Sequence, residues 1–147
     1  MTTCGGKNKI FFSLANYIIY DIINYNDKNK VEVYKKENGK EPITEFLISL
    51  SEKHRAKVIW EIELLREFGT DLKEPHIKAV TGKEYKGLWE LRIKFAGDIS
   101  RILYFMPVKD NFILLHGFIK KTEKTPKREL DSALRYMEDY KRKLKNE

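Results

Sequence analysis

Basic side chains and a histidine recur in the segment 87–121, GLWELRIKFAGDISRILYFMPVKDNFILLHGFIKK. The candidates for chemistry in this segment are Arg92, Lys94, Arg101, His116, Lys120 and Lys121. Arginine and lysine side chains that converge on a phosphate stabilise the negative charge that builds on its oxygens, and this electrostatic contribution is usually the largest in catalysis. With a proton acceptor and a proton donor beside them, such groups can cleave RNA without a metal ion, by attack of a 2′-hydroxyl on the adjacent phosphorus.

Motifs for other kinds of chemistry are missing from the sequence. It has no glycine-rich phosphate loop, no paired CxxC and no HExxH, and His54, His76 and His116 lack the spacing of metal ligands. We therefore expect neither a metal ion nor a small-molecule cofactor. The lone Cys4 is a poor candidate for a nucleophile and cannot form an intramolecular disulfide, which favours a reducing cytoplasm.

The identity of a general base stays open at this stage. The candidates are His116, Tyr104, Glu123 and Lys94 with a lowered pKa. Histidine has the most suitable intrinsic pKa for proton transfer, but His116 lies within an apolar strand pattern. His76 can either contact a substrate or be a solvated loop histidine, and His54, between two basic residues, is expected at the surface.

The elements that position these residues are predicted to be strands. Residues 89–95 alternate apolar and charged side chains, which is typical of a half-buried strand. Turn residues at 96–98 separate it from a second strand over 99–106, and a turn at 107–111 leads to a third over 112–119. Arg101 is the only charge in the second strand. It is therefore either used for phosphate binding or paired, to Glu90 or to Glu61.

The remaining elements surround this antiparallel meander. We expect a short strand over 31–34, a short helix over 43–50 and a longer helix over 52–68, with Ser51 as N-cap and Gly69 ending it. Residues 75–78 are expected to run extended. Thr125 as N-cap and Pro126 as the first helical residue predict a C-terminal helix.

Length and charge add a coarse constraint. The 147 residues fit one domain, and the formal net charge is +7. The excess lies in residues 81–147, with 16 Lys and Arg against 10 Asp and Glu. This fits a basic surface that meets a polyanion, although a solvated lysine-rich surface fits it as well. The apolar segment 10–23 is too short to span a bilayer and contains Asp21, so no membrane role is expected.

These motifs carry a resemblance to a known family. GLWELR, SRILYF and HGFIKKTEKTP, in that order, together with VYKKENGKEPITEFLISL, are similar to the phage-type HigB branch of the RelE/ParE toxin superfamily. The resemblance implies a RelE-like α/β fold of the α+β type for residues 31–147: a strand, two helices, a three-stranded antiparallel meander and a C-terminal helix. Residues 1–30 lie outside it, as an N-terminal extension or as residues translated from an upstream start codon.

The resemblance also implies a function. It implies the toxin of a type II toxin–antitoxin system, a ribosome-dependent endonuclease that cleaves mRNA in the A site and is neutralised by a small helix-turn-helix antitoxin. Arg92, Lys94, Arg101, Lys120 and Lys121 fall where the family places its phosphate-binding and transition-state cations. The alternatives are a non-enzymatic ParE-like toxin that inhibits DNA gyrase, and an inactive phage-derived nucleic-acid-binding protein.

Overall fold

The chain folds around a five-stranded sheet in the computed structural model, which describes residues 29–121 and 124–146. Three helices accompany the sheet in these ranges. The strands are β1 (Lys30–Val33), β2 (Ile77–Ala79), β3 (Trp89–Phe95), β4 (Asp98–Phe105) and β5 (Asn111–Lys120). The helices are α1 (Pro42–Ser49), α2 (Glu52–Phe68) and α3 (Lys127–Lys145). The predicted α+β fold is confirmed.

The order of the strands across the sheet is β1-β5-β4-β3-β2. Strands β3, β4 and β5 form the predicted antiparallel meander. The short β1 pairs parallel to β5, and β2 pairs antiparallel to β3 at the other edge. Of the stretch 75–78 that was predicted to run extended, residues 77 and 78 belong to β2, whereas Pro75 and His76 lie in a turn. The sequence pattern did not indicate a strand of the sheet here because β2 has only three residues.

Two hydrophobic cores lie on opposite faces of the sheet. Helices α1 and α2 cover one face, where Leu91 and Ile102 pack with Leu47 and Ile62. Helix α3 covers part of the other face through Ala133 and Met137. Because side chains alternate along a strand, the charged residues of β3 lie on the same face of the sheet as α3, beyond the part that this helix covers.

Helix α2 begins and ends where the sequence predicts. The hydroxyl of Ser51 accepts a hydrogen bond of 3.2 Å from the backbone amide of His54. Gly69 follows the helix with a φ of 53°, a left-handed conformation that favours glycine. Helix α3 begins differently, because Pro126 is the N-cap and the Thr125 hydroxyl donates instead to Glu90 Oε1 at 2.7 Å.

The expectation that His54 lies at the surface is wrong. Its side chain is buried, its Nε2 lies 2.6 Å from Ser100 Oγ on β4, and its ring stacks on Phe95. The partner hydroxyl is 46 residues away, so the local run of charges around His54 carried no sign of it.

The turn between β3 and β4 sets the register of the charged residues. Ala96 and Gly97 both have positive φ, 50° and 83°, as in the two-residue turns that suit the twist of a hairpin. This turn pairs Phe95 with Asp98 and thereby places Arg92 directly opposite Arg101. Two cationic side chains therefore lie side by side on one face.

Gly117 allows a close approach between β5 and α1. A Cβ atom built at this position would lie 2.8 Å from Cγ of Phe46, which is too close for two carbon atoms. We expect Gly117→Ala to lower the free energy of unfolding by about 1–3 kcal/mol, as overpacking does, in urea denaturation. In a Phe46→Ala background the same substitution is expected to have little effect. An unchanged urea midpoint in the single variant would refute this account of Gly117.

The predicted N-terminal extension lies outside the described residues except for its last two positions. Asn29 is buried, and its side-chain amide donates a 2.8 Å hydrogen bond to the Arg66 carbonyl in the last turn of α2. The ordered contacts of the domain thus begin at least two residues before position 31. In the described ranges, none of the helices combines the length and the apolar character needed to cross a membrane.

Candidate active site

A groove lies on the part of the sheet face that α3 leaves uncovered. We call it the basic groove. It has a volume of about 450 Å³. Its charged lining comprises six cations and two carboxylates: Lys78, Arg92, Arg101, Lys120, Lys124, Lys127, Glu84 and Glu90. The excess of positive charge in a concave surface favours an anionic ligand.

Three adjacent strands supply the floor of the basic groove. Arg92 of β3 lies opposite Arg101 of β4, and Lys120 of β5 lies opposite Ile99, two residues before Arg101. All of these positions are on one face, because directly paired residues of neighbouring strands point the same way. The structure thus brings together three of the predicted site residues, from three separate parts of the sequence.

Arg101 is a buried member of an ion pair. It is 3% exposed, and its Nη1 donates a short hydrogen bond to Glu90 Oε2. The other oxygen of Glu90 accepts from Thr125, so both oxygens of this buried carboxylate are occupied. Among the described residues, Arg101 Nε has no hydrogen-bond partner although it is buried. The predicted pairing with Glu90 is confirmed, and the guanidinium still lines the groove.

Lys120 is the cation most affected by burial. Lys120 is only 6% exposed. Burial, reinforced by the neighbouring Arg101 guanidinium, lowers the pKa of the Lys120 ammonium group. A lysine with a lowered pKa gives up its proton more readily than an exposed one, so Lys120 suits proton donation as well as charge stabilisation.

A second, smaller cavity of about 240 Å³ adjoins the basic groove at Arg92, which lines both. We call it the side cavity. Lys94 and His76 line it, together with Glu61 and Lys57 from α2. His76 Nδ1 lies 3.0 Å from Glu61 Oε2, and Lys57 Nζ lies 3.7 Å from the other oxygen of this carboxylate.

Two of the predicted site residues do not line either cavity. His116 Nε2 lies 3.1 Å from Glu129 Oε1 at the start of α3, and its ring stacks on Phe118. Lys121 is exposed beyond the end of β5. Of the other candidate bases, Tyr104 is buried on the face of α1 and α2, where burial raises its pKa, and Glu123 lies outside the described residues.

Several groove residues were not singled out by the sequence pattern. Lys78 comes from β2, Lys124 and Lys127 come from the segment around the start of α3, and Thr125 donates a hydrogen bond to Glu90, the partner of Arg101. The run KKTEKTPKR, residues 120–128, was the available signal for the lysines. By its local pattern this run predicts only the end of a strand and the start of a helix.

Sequence comparison identifies the family. The family model described as phage-derived protein Gp49-like matches residues 45–138. This match spans well over half of the chain, so the protein belongs to the Gp49-like family of phage-derived proteins. The family is associated with RelE-like toxins. No curated protein sequence matches the chain.

Proposed function

We propose that this chain is the toxin of a type II toxin–antitoxin system and cleaves mRNA on the ribosome. The observation that carries the proposal is the convergence of Arg92, Arg101 and Lys120 in one groove. Like charges directly opposite each other destabilise a sheet, so the cross-strand pair of arginines calls for an anion beyond the single carboxylate of Glu90. An RNA phosphate would supply this anion. The family membership supports a toxin, and the resemblance to HigB supports the nuclease.

The groove suits cleavage by internal attack of the RNA. The 2′-oxygen forms a bond to phosphorus while the bond from phosphorus to the 5′-oxygen breaks, which leaves a 2′,3′-cyclic phosphate and a 5′-hydroxyl. Arg92 and Arg101 stabilise the negative charge on the non-bridging oxygens. The Lys120 ammonium group donates a proton to the leaving 5′-oxygen. A base must take the proton of the 2′-hydroxyl.

The two partners in this proposal are mRNA in the ribosomal A site and a small helix-turn-helix antitoxin. The groove of about 450 Å³ presents four lysines around its two arginines, against two carboxylates. This arrangement binds a backbone without selecting bases. The ribosome then supplies the orientation of the mRNA. We expect a small helix-turn-helix reading frame to lie next to the gene, and its co-expression to restore growth.

Induced expression in bacteria distinguishes this function from its alternatives. We expect protein synthesis to stop first, with new mRNA 5′ ends within translated regions and with plasmid supercoiling unchanged. The Arg92→Ala variant is expected to allow growth, whereas Lys53→Ala, which removes an exposed charge from α2, is expected to be as toxic as the wild type. Relaxed plasmids with intact mRNA would instead indicate gyrase inhibition, and normal growth with folded wild-type protein would indicate an inactive protein.

A further inference from the structure

We propose that His76 is the general base of the reaction and that Glu61 is the residue that positions it. The inference rests on the proposed function and adds the group that takes the proton of the 2′-hydroxyl. It assigns the side cavity a catalytic part, beside the basic groove that binds the phosphate.

The hydrogen bond between His76 and Glu61 fixes which nitrogen is available. A carboxylate can only accept, so the proton of a neutral His76 lies on Nδ1, 3.0 Å from Glu61 Oε2. The lone pair is then on Nε2. Glu61 is 5% exposed, whereas the side chain of His76 is 40% exposed. A buried carboxylate therefore orients an imidazole that remains accessible, the arrangement that histidine bases use elsewhere.

The position of His76 relative to the strands is also fixed. Its carbonyl accepts a 2.8 Å hydrogen bond from the backbone amide of Arg92, just before β2 begins. His76 and Arg92 line the same cavity, and Arg92 also lines the basic groove. In this proposal a phosphate bound by Arg92 lies at the boundary of the two cavities, and the 2′-hydroxyl of the adjacent ribose faces the imidazole.

The charged groups that face His76 come from two elements. Glu61 and Lys57 belong to α2, and Arg92 and Lys94 belong to β3. Lys57 lies near the carboxylate oxygen that His76 does not use, 3.7 Å away. Each carboxylate oxygen of Glu61 thus has a basic neighbour, and the oxygen that accepts from His76 orients the imidazole.

The proton balance of the step is complete with these groups. His76 Nε2 takes the 2′-hydroxyl proton as the 2′-oxygen bonds to phosphorus, and Lys120 gives a proton to the 5′-oxygen as its bond to phosphorus breaks. The products are the cyclic phosphate and the 5′-hydroxyl. Exchange with water then returns His76 to its neutral form and Lys120 to its charged form.

The other two histidines do not combine these properties. His54 is buried against Ser100 on the opposite face of the sheet. His116 also has a carboxylate partner, Glu129, but its Nε2 is the nitrogen engaged and it lines neither cavity. His116→Gln therefore tests the competing assignment with a histidine of similar chemistry.

The test is the pH dependence of single-turnover cleavage on mRNA-programmed ribosomes. His76→Asn keeps an amide N–H near the position of Nδ1 and removes Nε2. We expect it to lower the rate by about 10²–10⁴-fold and to abolish the acidic limb of the pH–rate profile, because a protonated base cannot accept the 2′-hydroxyl proton. Glu61→Gln is expected to lower the rate about 10–100-fold and to shift this limb. His116→Gln is expected to keep the limb.

A substrate with sulfur in place of the 5′-oxygen distinguishes the loss of the general base from the loss of the general acid, because a thiolate leaves without protonation. On this substrate Lys120→Ala is expected to recover most of its loss, and His76→Asn is not. The thermal midpoint of each variant is measured beside its rate as a control for folding. If His76→Asn is unfolded, His76→Gln takes its place. The inference is overturned if a folded His76 variant keeps the wild-type profile, if sulfur restores its rate, or if His116→Gln removes the limb instead. A folded wild type that cleaves nothing overturns the proposed function as well.

Discussion

Replacing Arg101 with alanine is expected to lower the free energy of unfolding by about 3–5 kcal/mol, the range found when one member of a buried ion pair is removed. Arg101 is 3% exposed and Glu90 is 6% exposed. The substitution leaves the Glu90 carboxylate buried, with a 2.7 Å hydrogen bond from the Thr125 hydroxyl that does not neutralise its charge. Chemical denaturation of the purified variant measures the loss.

A double variant provides the control for this prediction. Arg101→Ala with Glu90→Ala removes the stranded charge together with its partner, so the double variant is expected to be more stable than the Arg101 single variant. Arg101→Lys keeps a charge but loses the planar donor geometry, and it is expected to be intermediate. If Arg101→Ala unfolds at the same denaturant concentration as the wild type, the ion pair does not stabilise the fold.

Replacing Arg92 with alanine is expected to lower the rate of cleavage with little change in the free energy of unfolding. Arg92 is half-buried, and within the described residues its side chain has no ion pair or hydrogen bond. Its guanidinium is therefore available to a phosphate at the boundary of the two cavities. Removing one preorganised transition-state donor lowers the rate about 10²–10³-fold, and single-turnover cleavage on programmed ribosomes measures it.

The matched control for Arg92 is Lys53, an exposed cation on α2 outside both cavities. Lys53→Ala removes the same charge and is expected to cleave at the wild-type rate. Arg92→Lys is expected to recover only part of the rate, because a lysine offers no two-pronged contact to a phosphate. A folded Arg92→Ala variant with an unchanged rate would exclude Arg92 from the site.

The meander and helix α2 could be predicted because their signals are local. Strand β3 spans residues 89–95 as the alternation of Trp89 to Phe95 indicates, and α2 lies between the predicted caps Ser51 and Gly69. The charged face of β3 followed from the same alternation. Two-residue periodicity fixes which side chains share a face, and this was enough to group Arg92 and Lys94.

The contacts that define the site were not predictable in the same way, because they join distant parts of the chain. Glu61 meets His76 across 15 residues, and Thr125 meets Glu90 across 35. Local preference assigned Thr125 to a helix cap, and the carboxylate of Glu90 took its hydroxyl instead. The predicted pairing of Arg101 with Glu90 is confirmed. The paired guanidinium still lines the groove, and its binding of a phosphate stays a prediction.

The sequence left two alternatives for His76, a substrate contact or a solvated loop histidine, because its contact with α2 is not a local feature. In the sequence it follows Pro75 in a polar stretch, which is typical of a solvated loop. The role that we propose for it depends on Glu61, a carboxylate that the helical pattern of α2 places next to apolar residues without indicating a partner. Only the packing of α2 against the edge of the sheet brings the two side chains into one cavity.

Cleavage of a defined mRNA by the purified full-length chain, with and without ribosomes, tests the central claim most directly. The mRNA is bound in a translation complex with one codon in the A site, and both ends of each fragment are identified chemically. We predict cleavage at that codon, with 2′,3′-cyclic phosphate and 5′-hydroxyl ends, and much slower cleavage of the same RNA when it is free. Intact mRNA after incubation with folded protein, equal cleavage of free RNA, or 5′-phosphate ends would contradict the account.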